Sequence, residues 1–361
     1  MSGMCYLSGA TSVLTVGKER HVTPLGFNIG SSTRAVAFSA NWEYLVSGDK
    51  ETIRVWRVRE DDEQVPVVAT KAVGVVNCLT VSKDGKWIAA GRWLGDVIVW
   101  DTETYKQVIT LEDDYVNGVD FSLDSTRLLT ASNRTASIWD ITARQRVVGP
   151  LHHQDDLRAA KFSPQLGDRI ATATQKSIRV YSTDGRLLVD ISVTVNPWYN
   201  TGLLWSKSHL FAVSNSKIKQ IDAYNGSLVS EWPVPDTNSS SCIALPRHGK
   251  FIAYSANRAV TFWDALTHTQ LGHIQHVQDI RSIALSPDDR FIAIGGEGGK
   301  ITIKLLSGIT VGTVPLWIIV PNHSYSHHPF ISYSIHCLPY NLHLGARNSH
   351  QRRHSRFVEE W

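Results

Sequence analysis

Ile53-Arg54-Val55-Trp56, Val97-Ile98-Val99-Trp100, Ser137-Ile138-Trp139-Asp140, Ile178-Arg179-Val180-Tyr181, Ile218-Lys219-Gln220-Ile221, Val260-Thr261-Phe262-Trp263 and Ile301-Thr302-Ile303-Lys304 are seven versions of one short strand. Counted from Trp56, the steps to Trp100, Trp139, Tyr181, Ile221, Trp263 and Lys304 are 44, 39, 42, 40, 42 and 41 residues. The β-branched and aromatic content suits a strand and not a helix. A period of this size made of short strands predicts a β-propeller, because one such unit cannot bury its own faces and stacks on its neighbours to do so.

A second series gives the same period from other residues. Val36, Leu79, Val119, Ala160, Leu203, Ile243 and Ile283 anchor an apolar first strand and step by 43, 40, 41, 43, 40 and 40. Val119-Asp120-Phe121-Ser122 and Ile283-Ala284-Leu285-Ser286-Pro287 are examples. A turn follows, as in Lys83-Asp84-Gly85-Lys86 or Pro287-Asp288-Asp289-Arg290, whose Asp and Gly tolerate the backbone angles of tight turns. A second strand rises next, as in Trp87-Ile88-Ala89-Ala90 and Phe251-Ile252-Ala253-Tyr254. Its small late residues suit blades packed face to face. The third strand is the one quoted first. A weaker fourth follows, as in Gln107-Val108-Ile109-Thr110-Leu111 or Arg186-Leu187-Leu188-Val189-Asp190.

The endings Val99-Trp100-Asp101, Ile138-Trp139-Asp140 and Phe262-Trp263-Asp264 resemble the Trp-Asp ending of the WD40 repeat family. The likeness covers residues 36–307, and its weight comes from seven phased units, since one Trp-Asp pair is common by chance. It implies an all-β chain: a seven-bladed β-propeller of four-stranded antiparallel blades starting near 36, 76, 116, 157, 200, 240 and 280. The repeat signature is expected at Trp56, Trp100, Asp101, Trp139, Asp140, Tyr181, Trp263 and Asp264. The family's structural histidine falls on His153 and His276, where the third unit has Glu112 and the second Ala72. The Asp usual in the second-to-third turn is mostly absent, so the internal hydrogen-bond network is expected to be incomplete in most blades. The unit from Leu203 to Trp232 departs furthest. In the family an N-terminal segment supplies the outer strand of the last blade, so Thr23-Pro24-Leu25-Gly26-Phe27 is expected to pair with Ile301–Leu305 and close the ring. An outer strand tolerates Pro24.

The propeller is thus expected over 1–307, with an irregular tail over 308–361. That tail holds 7 of the 15 histidines, no lysine, and no acid before Glu359. A disordered segment and an error of gene structure, such as translated intron or a shifted frame, both fit the change. His323, His327 and His328 invite a metal reading that no ordered scaffold or acid accompanies.

Composition narrows the classes. The 361 residues are 42% hydrophobic, with 36 basic against 33 acidic residues and a net charge of +3. No basic face is apparent, which argues against nucleic acid as a partner. Cys5, Cys78, Cys242 and Cys337 have no paired spacing, so neither a disulfide framework nor a zinc site is expected. Reduced thiols suit an intracellular protein, cytoplasmic or nuclear. Met1 to Val16 lacks the pattern of a signal peptide, and no apolar run of membrane-spanning length occurs. There is no Gly-x4-Gly-Lys phosphate loop, Gly-x-Ser-x-Gly elbow or His-Glu-x-x-His pair. His152, His153, Asp155 and Asp156 cluster, but His153 falls at the structural position. No catalytic residue, metal, cofactor or small-molecule substrate is expected, and the chain reads as a non-enzyme.

The resemblance places the fourth-to-first and second-to-third loops on one face around a central channel. Mapped there, Arg92, Trp93, Tyr115, Arg134, Trp198, Tyr199 and Arg258 are the docking candidates, being the residue types that dominate interface energies. Asp113, Asp114, Asp155 and Asp279 share these loops. The expected function is a scaffold or adaptor that docks a protein or peptide partner: a monomeric propeller within a larger complex, with no membrane contact. Alternatives are a substrate receptor of a ubiquitin ligase, the sensor part of a larger ATPase, or a decayed paralogue. Some such receptors have Trp-Asp-x-Arg at a third-strand end. Trp56-Arg57-Val58-Arg59 lacks its Asp, and Trp139-Asp140-Ile141-Thr142 lacks its Arg.

Overall fold

A computed structural model of the chain describes residues 32–58, 66–71, 74–93, 95–113, 115–195, 202–236 and 241–306. All lie within the first of two units, Met1–Gly312 and Thr313–Trp361. The described residues are all-β, without a helix, and build the seven blades of a propeller.

Each blade is an antiparallel meander whose strands pair in chain order. Blade 1 comprises Ala35–Phe38, Tyr44–Gly48, Thr52–Arg57 and Pro66–Lys71. Blade 2 comprises Val76–Val81, Trp87–Arg92, Val97–Asp101 and Gln107–Leu111. Blade 3 comprises Val116–Phe121, Arg127–Ser132, Thr135–Asp140 and Gln145–His152. Blade 4 has Leu157–Phe162, Arg169–Thr174, Ser177–Ser182 and Leu187–Ser192. Blade 5 has Leu203–Ser206, His209–Ser214, Lys217–Asp222 and Leu228–Pro233. Blade 6 has Cys242–Ala244, Phe251–Ala256, Ala259–Asp264 and Gln270–Gln275. Blade 7 shows Ile280–Leu285, Phe291–Gly296 and Ile301–Leu305. The segment Thr23–Phe27, expected to be its fourth strand, lies outside the described residues, as does the tail.

Burial explains why the strands do not alternate apolar and polar residues. The second strand of each blade is covered on both faces by neighbouring blades, so Phe251–Ala256 is buried throughout. The outer strand is covered far less, and Gln145–His152 is mostly exposed. A cluster of buried side chains fills each interface between neighbouring blades. One of them joins the two ends of the ring: Val36, Phe38, Leu45 and Trp56 of blade 1 pack with Phe291, Ala293, Ile301 and Ile303 of blade 7. There the Thr33 amide donates to the Gly296 carbonyl at 3.1 Å, and the Val36 amide to Ser282 Oγ at 3.1 Å. Contact is so close that a Cβ on Gly91 would stand 2.4 Å from Val116 Cγ1, in the next blade.

The Trp-Asp signature divides into two jobs. Trp56, Trp100, Trp139, Tyr181 and Trp263 are buried at blade interfaces. Several of these indoles find a hydroxyl: Trp56 Nε1 donates to Ser47 Oγ at 2.8 Å, Trp139 Nε1 to Thr130 Oγ1 at 3.1 Å, and Trp263 Nε1 to Thr261 Oγ1 at 2.9 Å. The aspartates cap the turn that follows. Asp101 accepts from the Thr104 amide at 2.7 Å, Asp140 from the Ala143 amide at 2.7 Å, and Asp264 from the Leu266 and Thr267 amides at 2.8 Å. Asp222 does the same in blade 5 for Tyr224 and Asn225, so the cap survives where the tryptophan is replaced by Ile221.

The polar network is partly substituted and not simply lost. In blade 4, His153 Nε2 meets Thr172 Oγ1 at 2.9 Å and the Tyr181 hydroxyl at 3.3 Å. In blade 7, His276 Nε2 meets Thr302 Oγ1 at 3.3 Å. In blade 3, whose matching position is Glu112 and not a histidine, the next residue supplies the acceptor: Asp113 accepts from Thr130 Oγ1 at 2.8 Å and from Ser132 Oγ. In blade 1 the second-to-third turn does have its aspartate. Asp49 accepts from the Glu51 and Thr52 amides, both at 2.8 Å, and from Arg54. Blade 5 retains a deficit, since Trp232 Nε1 and Ser214 Oγ are buried without a partner.

Candidate functional site

The seven anchor residues, Val36, Leu79, Val119, Ala160, Leu203, Ile243 and Ile283, all line one cavity of about 180 Å³ on the ring axis. Cys78, Asn117, Arg158, Lys161, Cys242 and Ser282 line the same channel between these apolar anchors. Among the described residues no group of three His, Cys, Asp or Glu is placed to hold a metal ion. The cluster around His152 separates accordingly: His153 turns inward to Thr172 and Tyr181, while Asp155 and Asp156 face cations of the neighbouring turns. Burial pushes the His153 imidazole down to about 4, with the charge of Arg179 adding to the effect. It is therefore neutral at physiological pH, as a hydrogen-bonding strut should be. Cys78 and Cys242 are free and buried. Burial raises their thiols to about 12 and about 11, so neither is a nucleophile.

Around one mouth of the channel stand the second-to-third turns and the connections between blades. A motif recurs there in blades 3 and 6. Asn133 and Asn257 take up positive φ, 42° and 52°, which asparagine tolerates better than most residues. Their carbonyls accept from the amides of Leu157 and Ile280 in the next blade, at 2.5 and 2.7 Å. The arginine that follows then reaches the connection leading into that blade. Arg134 Nε lies 3.3 Å from Asp156 Oδ1, and Arg258 Nε lies 3.0 Å from Asp279 Oδ1. Lys176 and Asp155 form a similar contact at 2.8 Å between blade 4 and the connection before it. Such exposed pairs contribute little stability, and the two guanidinium groups remain largely exposed beside their carboxylates.

The remaining candidates take different places. Arg92 is largely covered and pairs with Asp96 at 3.1 Å. Trp93 lies under the Arg34 guanidinium, 5.1 Å from the ring centre. Burial, and then the charge of Arg281, lowers the basicity of Arg34. Tyr115, at φ 52°, is 40% exposed. Trp198, Tyr199 and Asp114 lie outside the described residues. Arg134 and Arg258 thus share one geometry, Arg92 and Trp93 are braced by neighbours, and Asp113 is turned into the blade 3 network. Asp96 and Glu297 were not singled out from the sequence. Each becomes recognisable only when a turn brings it to Arg92 or to Arg281, the latter at 2.6 Å.

Residues 68–101, 105–140 and 266–303 match the family model of the WD domain, G-beta repeat. These three stretches carry WD40 repeats, and the ring of seven four-stranded units around them has the architecture that such repeats build. Its relatives include the U3 small nucleolar RNA-associated protein 15 homolog of Xenopus laevis, 26% identical over 236 residues, 63% of this chain and 45% of the relative. WD repeat-containing protein 1 of Xenopus tropicalis is 37% identical over 247 residues, 63% of this chain and 38% of the relative. Apoptotic protease-activating factor 1 of Mus musculus is 21% identical over 329 residues, 78% of this chain and 26% of the relative. The chain spans less than half the length of each of these relatives.

Proposed function

We propose that this chain is a non-enzymatic docking platform that holds a protein or peptide partner on the rim formed by the second-to-third turns and the inter-blade connections. The repeated Arg134–Asp156 and Arg258–Asp279 pairs support it, because they set large planar cations at matching positions on two blades, with guanidinium side chains still 63% and 61% exposed. Arginine in such a setting recognises carboxylates and backbone carbonyls on a partner. Exposed Tyr115 adds an aromatic contact. The platform works as one propeller inside a larger assembly. The name of the Xenopus laevis relative refers to U3 small nucleolar RNA, which favours a nuclear assembly over a cytoplasmic one and puts RNA within reach of the complex.

Affinity capture with the full chain, beside a Tyr115→Ala/Arg134→Ala/Arg258→Ala variant of unchanged melting temperature, tests this. Loss of specific partner proteins from the folded variant is expected. An unchanged set of partners would remove the rim as the docking site.

A further inference from the structure

The opposite end of the ring differs chemically. The first-to-second turns surround a funnel of about 530 Å³ at the other mouth of the channel. Lys83, Lys207 and Arg247 are exposed in its wall and make no ion pair among the described residues. Lys161 adds a fourth cation. Two acids line the same space, and both are engaged. Asp120 accepts from the Phe162 amide at 2.9 Å and faces Lys161 Nζ at 3.5 Å. Asp289 accepts from the Arg247 amide at 2.8 Å and lies 3.5 Å from His248 Nε2. At the rim, Asp84, Asp124 and Asp288 accept from the serine hydroxyl of their own turns at 2.6, 2.5 and 2.5 Å. Lys83, Lys161, Lys207 and Arg247 therefore line the funnel against the two carboxylates of Asp120 and Asp289, while the rim aspartates, tied into their turns, keep their charge; on the other face Arg92, Arg134, Lys176, Arg258 and Arg281 each meet a carboxylate.

The funnel is also continuous with an apolar groove. Leu123 and Phe162 line both it and a second cavity of about 240 Å³ between blades 3 and 4. Leu166 stands over that cavity 74% exposed, and Leu123 is 47% exposed. Leucine side chains left in water at the edge of a positive cavity are a place where burial by a partner yields free energy.

We propose that this funnel and groove dock an acidic peptide segment bearing a large apolar side chain. Its carboxylates would face Lys83, Lys207 and Arg247, and its apolar residue would fill the groove between Leu123 and Leu166. Single-stranded RNA fits the charge but not the lining. The aromatic rings there, Phe38, Phe121, Phe162 and Trp205, are buried and offer no face on which a base could stack. This surface is separate from the rim proposed above, so either can fail without the other.

Fluorescence anisotropy tests it, using the full chain and a fluorescein-labelled peptide Glu-Asp-Glu-Leu-Asp-Phe-Glu-Asp-Glu, with a uridine decamer as competitor. Saturable binding that weakens with salt is expected. Lys207→Glu/Arg247→Glu should weaken it about tenfold or more. Lys83→Glu, a single exposed change, should weaken it in the same direction should the double variant not fold. Leu166→Ser, and a peptide with serine in place of its Leu and Phe, should each reduce affinity, which simple charge attraction would not require. Three outcomes overturn the proposal: no binding, affinity unchanged by the charge reversals or by loss of the apolar residues, or displacement of the peptide by a lower concentration of uridine decamer than of unlabelled peptide.

Discussion

At the scale of single residues, what matters is whether a buried polar atom has a partner. Trp56 and Trp232 are both buried tryptophans at blade interfaces, and they differ in this respect. Trp56 Nε1 donates to buried Ser47 Oγ, so Trp56→Phe removes a bond and orphans the hydroxyl, at a cost of about 1–3 kcal/mol. Trp232 Nε1 has no such partner, while its ring stacks on His268 at 4.1 Å. Trp232→Phe should therefore cost less, losing packing and no hydrogen bond, and urea midpoints of the two variants will show the contrast. Equal large losses would mean that shape alone governs these sites. His153 supplies the pH dependence. Its imidazole is held at about 4 when folded, against 6.5 for an ordinary histidine. Between those values the unfolded chain binds a proton that the folded chain refuses, so stability is complete above 6.5 and declines as pH falls towards 4. His276, also lowered by burial, acts in the same direction. Melting curves from pH 7 to pH 4.5 should show this decline, and His153→Gln should flatten it. A wild-type profile that is flat, or rises on acidification, would contradict the neutral strut.

At the scale of strands and turns, the sequence was legible wherever one chemical need repeats. The third-strand series and the Val36 series were readable because every blade must fill the same interface and the same axial cavity. The Asp of the Trp-Asp ending was readable because a turn needs an acceptor at a fixed offset. Asp222 shows that this need persists when the tryptophan is gone. The role of Asp113 as the acceptor in blade 3 was not readable, since it depends on which hydroxyl a side chain meets across the blade. The same holds for the ion pairs at the rim: Arg134 and Asp156 are 22 residues apart, and only the turn geometry joins them. Gly91 tests the packing of neighbouring blades. Gly91→Ala places a Cβ against Val116 Cγ1 and Cys78 Sγ, at 2.4 and 2.7 Å without movement, and overpacking of that kind costs about 1–3 kcal/mol. Adding Val116→Ala removes Cγ1 but leaves the Val116 Cβ at 2.8 Å, so it should recover only part of the loss relative to Val116→Ala alone. Strict additivity in that cycle would show that the two positions do not meet.

At the scale of the whole molecule, closure of the ring gives two ends with different chemistry. Shared clusters between successive blades, including the one joining blades 7 and 1, hold the loops on a common frame. One rim sets arginines beside carboxylates, which suits recognition by oriented hydrogen bonds. The opposite funnel sets Lys83, Lys207 and Arg247, without an ion pair among the described residues, beside exposed leucines. Net charge, at +3, conceals this division, because paired and unpaired cations count alike in a sum. The account centres on docking by the rim, and one comparison tests it most directly. Partners captured by the wild-type chain are quantified beside those of the folded Tyr115→Ala/Arg134→Ala/Arg258→Ala and Lys207→Glu/Arg247→Glu variants. The account predicts that the rim variant loses proteins which the funnel variant keeps. Retention of the full wild-type set by the rim variant would contradict it.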